Sequence, residues 1–398
     1  MLDRRKLLQY FAAGACVATA PRLAMAKADT DARLVLVILR GAADGLAMAA
    51  PYGDGNYDGL RGELALAKPG SEGGVLKIDG IFGLHPSFRG VHSLFEERQA
   101  ILLHAIATPY RERSHFDGQD MLELGASPGN LLRDGWLNRT LRPLGSSVGD
   151  ELAIALSQNT PLVLRGTNSV TSWAPSRLPD ADDDTLSRLE DLYADDEFFA
   201  TRLAQAMESQ AIAGNMGNLR RRGNDAEQLK AALQSTARFL AVENGLRIAV
   251  VESGGWDTHA NQGAATGNLA NRFAALDEAL SGLRDGLGSY WSNTAVLVVT
   301  EFGRTARVNG TRGTDHGTAT AALLLGGAVS GGRIVADWLG LANRDLYAGR
   351  DLYPTTDMRS LFKGVLIEHL GLDDAFVERD VFPESGNAKP LTGLIRTM

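Results

Sequence analysis

LRIAVVESGGWDTH, residues 246–259, decides how the chain is read. Its first half is an apolar run rich in Val and Ile with no polar alternation, which suits a strand covered on both faces. Its second half turns at once to glycine, a carboxylate and an imidazole. Three other runs repeat this design: RLVLVILR (33–40), AILLHAI (100–106) and TAVLVVTE (294–301). Weaker strand candidates are ELAIALS (151–157), PLVLRG (161–166) and TAALLLGG (320–327). Helix-period segments separate them, with Asp or Asn near their starts and Gly near their ends. The alternation predicts an α/β fold, a three-layer sandwich with a largely parallel central sheet and helices on both faces. No strand is expected between about 167 and 230, and that segment is predicted to be a helical insertion or cap on a single domain spanning 27–398.

The N-terminus reads as an export signal over residues 1–26. Arg4, Arg5 and Lys6 precede a short Ala- and Gly-rich apolar stretch that ends at Ala24-Met25-Ala26, a pattern of the twin-arginine type. The expected location is therefore periplasmic or secreted, with the twin-arginine translocation machinery as a partner and no stable membrane anchor after cleavage. The net charge of −8 becomes about −11 once this basic segment is gone, which argues against nucleic acid as a ligand. The one cysteine, Cys16, lies in the signal, so the mature chain has no thiol for disulfides, catalysis or metal. Trp and Tyr are scattered rather than striped, so no aromatic platform for a polysaccharide is expected.

In an open, mostly parallel sheet, ligands bind beyond the carboxyl ends of the strands, and there the sequence repeatedly places its polar chemistry. Asp44 follows the first strand. Arg111, Arg113, Ser114, His115, Asp117 and Asp120 follow the second, Asp257 and His259 the third, and Glu301, Arg304, Asp315 and His316 the fourth. Three of the seven histidines fall in these loops. His85, His92, His104 and His369 sit among apolar neighbours and read as packing or surface residues. Carboxylate and imidazole together suit zinc, manganese or iron, and carboxylates alone also accept calcium. A hydroxyl held at such a centre, Ser114 here, with guanidinium beside it, has the surroundings of a nucleophile.

The signal, LRGAADGLAMAAPYGD, RSHFDGQD, GWDTH and TEFGRTARVNGTRGTDHG together resemble the exported bacterial proteins grouped as domain of unknown function 1501. The resemblance implies an alkaline phosphatase-like, sulfatase-like fold with one or two divalent metal ions (Zn, Mn or Ca). It implies hydrolysis of a small-molecule or polymer phosphate or sulfate ester, or, as the alternative, a non-catalytic envelope protein that binds a polymer or partner protein. Carried over to this sequence, it implies metal binding by Asp44, Asp257, His259, Glu301, Asp315 and His316. Ser114 would be the nucleophile, with His115, Arg113 and Arg304 in the catalytic group. The spacing of Asp257 and His259, and Glu301 without an adjacent histidine, depart from the alkaline phosphatase pattern.

Overall fold

A computed structural model describes residues 30–145, 151–174, 183–213, 225–243 and 245–397. Residues 1–26, expected to be an export signal and containing Cys16, lie outside the described residues. Twelve strands occur among them: β1 (Arg33–Leu39), β2 (Ala49–Ala50), β3 (Leu76–Lys77), β4 (Gly83–Leu84), β5 (Ala100–Ala107), β6 (Ala153–Ala155), β7 (Thr171–Ser172), β8 (Ile248–Ser253), β9 (Thr294–Val299), β10 (Thr320–Leu325), β11 (Arg333–Val335) and β12 (Thr356–Asp357). Nine form one sheet in the order β11-β5-β10-β9-β1-β8-β6-β7, with β12 also paired to β5, and β2-β4-β3 form a small second sheet.

Each predicted run follows the same physical logic. In β1 the side chains of Val35, Val37 and Leu39 enter a core shared with Leu233 and Leu240 of helix Asp225–Leu240 and with Phe273 and Leu280 of helix Asn268–Leu287. Leu34, Leu36 and Ile38 enter the opposite core with Trp136, Phe382 and helix Met358–Glu368. Every residue of β1 is buried, as the missing polar alternation required, and each such aliphatic side chain contributes roughly 1.5–3 kcal/mol of transfer free energy. Helix, sheet and helix thus make the three layers.

β1 is parallel to both neighbours, β8 and β9, and β6 continues parallel to β8. The sheet is largely parallel, as expected, and β10 is its exception, running antiparallel to β5 and β9. That reversal matters for the site. The loop leaving the carboxyl end of β9 returns to the amino end of β10 at the same edge of the sheet, so residues 300–319 stay at the ligand-binding edge throughout.

Two expectations change. PLVLRG forms a 3-10 turn, Leu162–Leu164, instead of a strand: Pro161 offers no N–H to a ladder, and its carbonyl accepts from Leu164 N instead. Residues 167–230 do hold a strand, the short edge strand β7, paired to β6. Helices Asp183–Tyr193 and Glu197–Ala213 occupy the same segment. Among the described residues no helix is long and apolar enough to cross a membrane.

His104 ties the main sheet to the small one. Its Nδ1 accepts from Ala105 N at 2.9 Å and its Nε2 donates to the carbonyl of Ala49 at 3.0 Å, so both nitrogens are committed to the neutral ring. Complete burial pushes its pKa from 6.5 down to about 4. The unfolded chain therefore takes up a proton below pH 6.5 that the native chain refuses until about pH 4, and stability falls as pH falls through that window. Denaturant unfolding at pH 6.5 and pH 5 should show a loss from this group on the order of 1.5 kcal/mol in the wild type. His104→Gln should remove that increment from the pH dependence.

Candidate metal centre

Four loops from the carboxyl edge of the sheet supply the site. Gly41 and Glu301 set its floor. Glu301, fully buried one residue beyond Thr300, accepts from Gly41 N at 2.8 Å, from His115 Nδ1 at 2.8 Å and from Gln119 Nε2 at 3.3 Å through one oxygen. Its other oxygen accepts from Thr300 Oγ1 at 2.9 Å. Gly41 has a φ of +117°, and a Cβ there would stand 2.6 Å from Asp257 N, so only glycine lets the β1 loop lie against the GWDTH loop.

His115 opens helix His115–Leu124, whose carboxyl end is closed by Gly125 in the left-handed conformation. The helix presses Gly118 onto Phe302, where a Cβ would come within 2.8 Å of the ring, and the His115 imidazole stacks on Phe302 at 5.0 Å. Arg113 takes a φ of +62°, which turns its carbonyl to accept from His316 Nδ1 at 2.9 Å. His259 Nδ1 faces Asp315 Oδ1 at 3.3 Å, and Asp315 is itself held by Asn309 Nδ2 at 3.0 Å.

Each of the three imidazoles therefore has an acceptor on Nδ1: a carboxylate for His115, a carboxylate for His259 and a carbonyl for His316. That assigns the proton to Nδ1 and leaves the Nε2 lone pairs facing inward. Those lone pairs meet. His115 Nε2 and His259 Nε2 each lie 3.0 Å from His316 Nε2. Asp257 Oδ1 lies 2.9 Å from His259 Nε2 and 3.2 Å from His316 Nε2, and Asp257 Oδ2 lies 3.4 Å from His115 Nε2. The ligand atoms of His115, Asp257 and His316 all fall within 4.8 Å of one another, and His259 extends the group on its far side. Three lone pairs and an anionic oxygen aimed at one point repel each other until a cation joins them, and imidazoles oriented by carboxylate and carbonyl acceptors are the usual surroundings of a metal.

The electrostatics are consistent with this. The hydrogen bond that His115 donates to Glu301 raises the His115 pKa, whereas burial lowers that of His316. Burial would also raise Asp257 and Glu301. The Arg304 hydrogen bond and charge instead hold Asp257 below the usual aspartate range, and the His115 hydrogen bond with surrounding donors holds Glu301 low. Asp315 is lowered chiefly by Asn309. Asp257, Glu301 and Asp315 against Arg304 leave a net of two negative charges around three neutral imidazoles, the complement of one divalent ion.

Several expected residues take other places. Asp44 is fully buried and does not join the cluster: one oxygen pairs with Arg61 and accepts from Gln262 Nε2 at 2.7 Å, and the other caps helix Gly45–Met48. Glu301 and Asp315 stand behind His115 and His259 respectively. His115, expected among the catalytic groups, is one of the converging imidazoles. Arg113 does not face the cluster with its guanidinium, which pairs with the buried Asp351 at 2.8 Å. Arg304 is buried, bonded to Asp257 and to Thr314, and so positions a carboxylate. Ser114 takes the N-cap position without making the side-chain cap bond, and its backbone N–H donates to Tyr110 Oη at 3.2 Å. Sequence reasoning missed Arg61 and Gln262. Gln262 Oε1 also accepts from Thr258 and Thr314, linking Asp44 to the hydroxyl that holds Arg304, and no local pattern marks a lone buried glutamine.

Comparison with known proteins places this geometry in context. No curated protein matches the chain in sequence. Among solved structures, the phosphonate monoester hydrolase of Agrobacterium radiobacter is similar at 12% identity, over 86% of this chain and 74% of that one, with a TM-score of 0.40. The PsFucS1 sulfatase from Pseudoalteromonas sp. shares 13% identity over 93% of this chain and 74% of its own, with a TM-score of 0.39. The zinc complex of the C-terminal periplasmic domain of EcEptC from Escherichia coli shares 12% identity over 77% and 76%, with a TM-score of 0.37. The family model described as a protein of unknown function (DUF1501) matches residues 103–382, which is more than half of the sequence and takes in every converging residue, and the chain belongs to that family.

Proposed function

We propose that this chain is an exported, metal-dependent hydrolase of phosphate or sulfate esters, with one divalent ion held by His115, Asp257, His259 and His316. The observation that carries the reading is the convergence of three Nε2 lone pairs and one carboxylate, each imidazole oriented from behind. Three imidazole nitrogens favour zinc, manganese or iron over calcium, which prefers an all-oxygen set. A second ion has no donor in Asp44, whose charge Arg61 already neutralises. When bound, the ion would polarise an ester oxygen and lower the pKa of a water.

The chain's own residues divide the remaining work. Asp257 and His259 are partly exposed, so the centre opens to solvent on the side where an ester must enter. Arg304 fixes Asp257, and Glu301 fixes the tautomer and plane of His115. Ser114 and Thr258 each adjoin a converging histidine in sequence. Thr258 is buried and its hydroxyl donates to Gln262, so Ser114 is the attacking group in this reading. Export in folded form through the twin-arginine machinery, to the periplasm, fits a protein that must enclose its ion first. A second reading, a non-catalytic envelope protein, is favoured by the exposed Leu192, Phe198 and Phe199 on the helices of residues 183–213.

Elemental analysis of the purified protein should find one transition-metal ion per chain, lost in His316→Ala and in Asp257→Ala. Protein without bound metal and indifferent to chelator in a thermal melt would end the metal reading. Glu301→Gln should retain the fold but bind zinc about 10–100-fold more weakly in a chelator competition. Assayed on a panel of phosphate and sulfate monoesters, Ser114→Ala should abolish turnover while keeping the metal. Full activity in that variant would assign the attack to water, and inactivity of the metal-loaded wild type on every ester would favour the second reading.

A further inference from the structure

Beside the metal centre lies a cavity of about 250 Å³, lined among others by Arg40, Phe116, Asp120, Asn159, Thr160 and Arg165. It opens at the same edge of the sheet, next to the carboxyl ends of β1, β6 and β8. Its wall is continuous with the centre. Gln119 lines the cavity and donates to the same Glu301 oxygen that accepts from His115, and Arg40 precedes the Gly41 that donates to it as well.

Two features give this cavity a chemical preference. Phe116 follows His115 directly and is 84% exposed, an aromatic face left open to solvent within one residue of a converging imidazole. The same lining holds a carboxylate from Asp120, one turn further along the helix that carries Phe116, and an amide, a hydroxyl and a guanidinium from Asn159, Thr160 and Arg165 of the segment after β6. Glu252 and Glu123 are tied to Arg40 by ion pairs. Over the five charged side chains of the lining, three acidic and two basic, the net charge is −1, which repels a second anionic group. Donors and acceptors together beside one exposed ring suit a neutral, hydroxyl-rich ring that presents an apolar face.

Resting on the hydrolase reading above, we propose that this cavity binds the organic part of the ester, and that this part is a single neutral sugar ring. One exposed ring, without a stripe of others, matches one sugar residue at the site.

The test separates the sugar from the chemistry. Saturation-transfer NMR of the zinc-loaded protein with the methyl glycosides of glucose, galactose, mannose and N-acetylglucosamine needs no turnover. At least one should bind, and its signal should vanish in Phe116→Ala and in Asn159→Ala, which change two separate segments of the lining. In kinetics, both variants should lower kcat/KM for a hexose 6-phosphate or 6-sulfate about tenfold relative to ethyl phosphate, with zinc content measured on the same samples. Sugar binding without hydrolysis of any ester would support this inference while removing the hydrolase reading. No binding by any glycoside, binding unchanged in both variants, or a preference for a sugar carrying a second anionic group would overturn it.

Discussion

The carboxylate of Glu301, fully buried at the end of a central strand, is the constraint around which the rest of this site is arranged. An ionised group in that position is tolerated only if its lone pairs are taken. It therefore fixes the Gly41 backbone, the His115 ring, the Gln119 amide and the Thr300 hydroxyl at once. One residue thereby locks the β1 loop, the helix after β5 and the end of β9 to each other. The orientation of His115 follows from that lock, and the position of Asp257 follows from the close packing of its loop against Gly41.

The single antiparallel strand supplies the remaining piece. A wholly parallel sheet would send the chain after Glu301 through a crossover to the far edge before the next strand began. Because β10 returns directly, the segment of residues 300–319 stays at the ligand-binding edge and brings Arg304, Asp315 and His316 to the same place. The strained Arg113 carbonyl then receives His316 Nδ1, and the buried Asp351 holds the Arg113 side chain away from the centre. Backbone strain at this position thus accompanies a specific orienting contact.

Much of this is legible in the residues themselves. Uninterrupted apolar runs report burial on both faces, since a half-exposed strand would have to alternate, so β1, β5, β8 and β9 could be read directly. The polar loops after them named Asp257, His259 and His316. Reading failed where a short apolar run was a 3-10 turn, at Leu162–Leu164, because burial of a few apolar side chains, Val163 and Leu164 here, is common to turns and strands. It also failed to rank the acids. Asp44, Glu301 and Asp315 all follow strand ends, and nothing in their neighbours tells a ligand from an anchor.

Local periodicity and composition suffice for the layers, for the sheet edge that carries the polar chemistry and for the imidazole and carboxylate character of the cluster. Which groups face one another depends on contacts between distant parts of the folded chain. His115, Asp257, His259 and His316 meet across separations of up to about two hundred residues, and Asp44 is claimed by an arginine seventeen residues away. Those choices are made by pairing buried charges and filling hydrogen bonds in three dimensions, and such pairings leave no period or spacing along the chain.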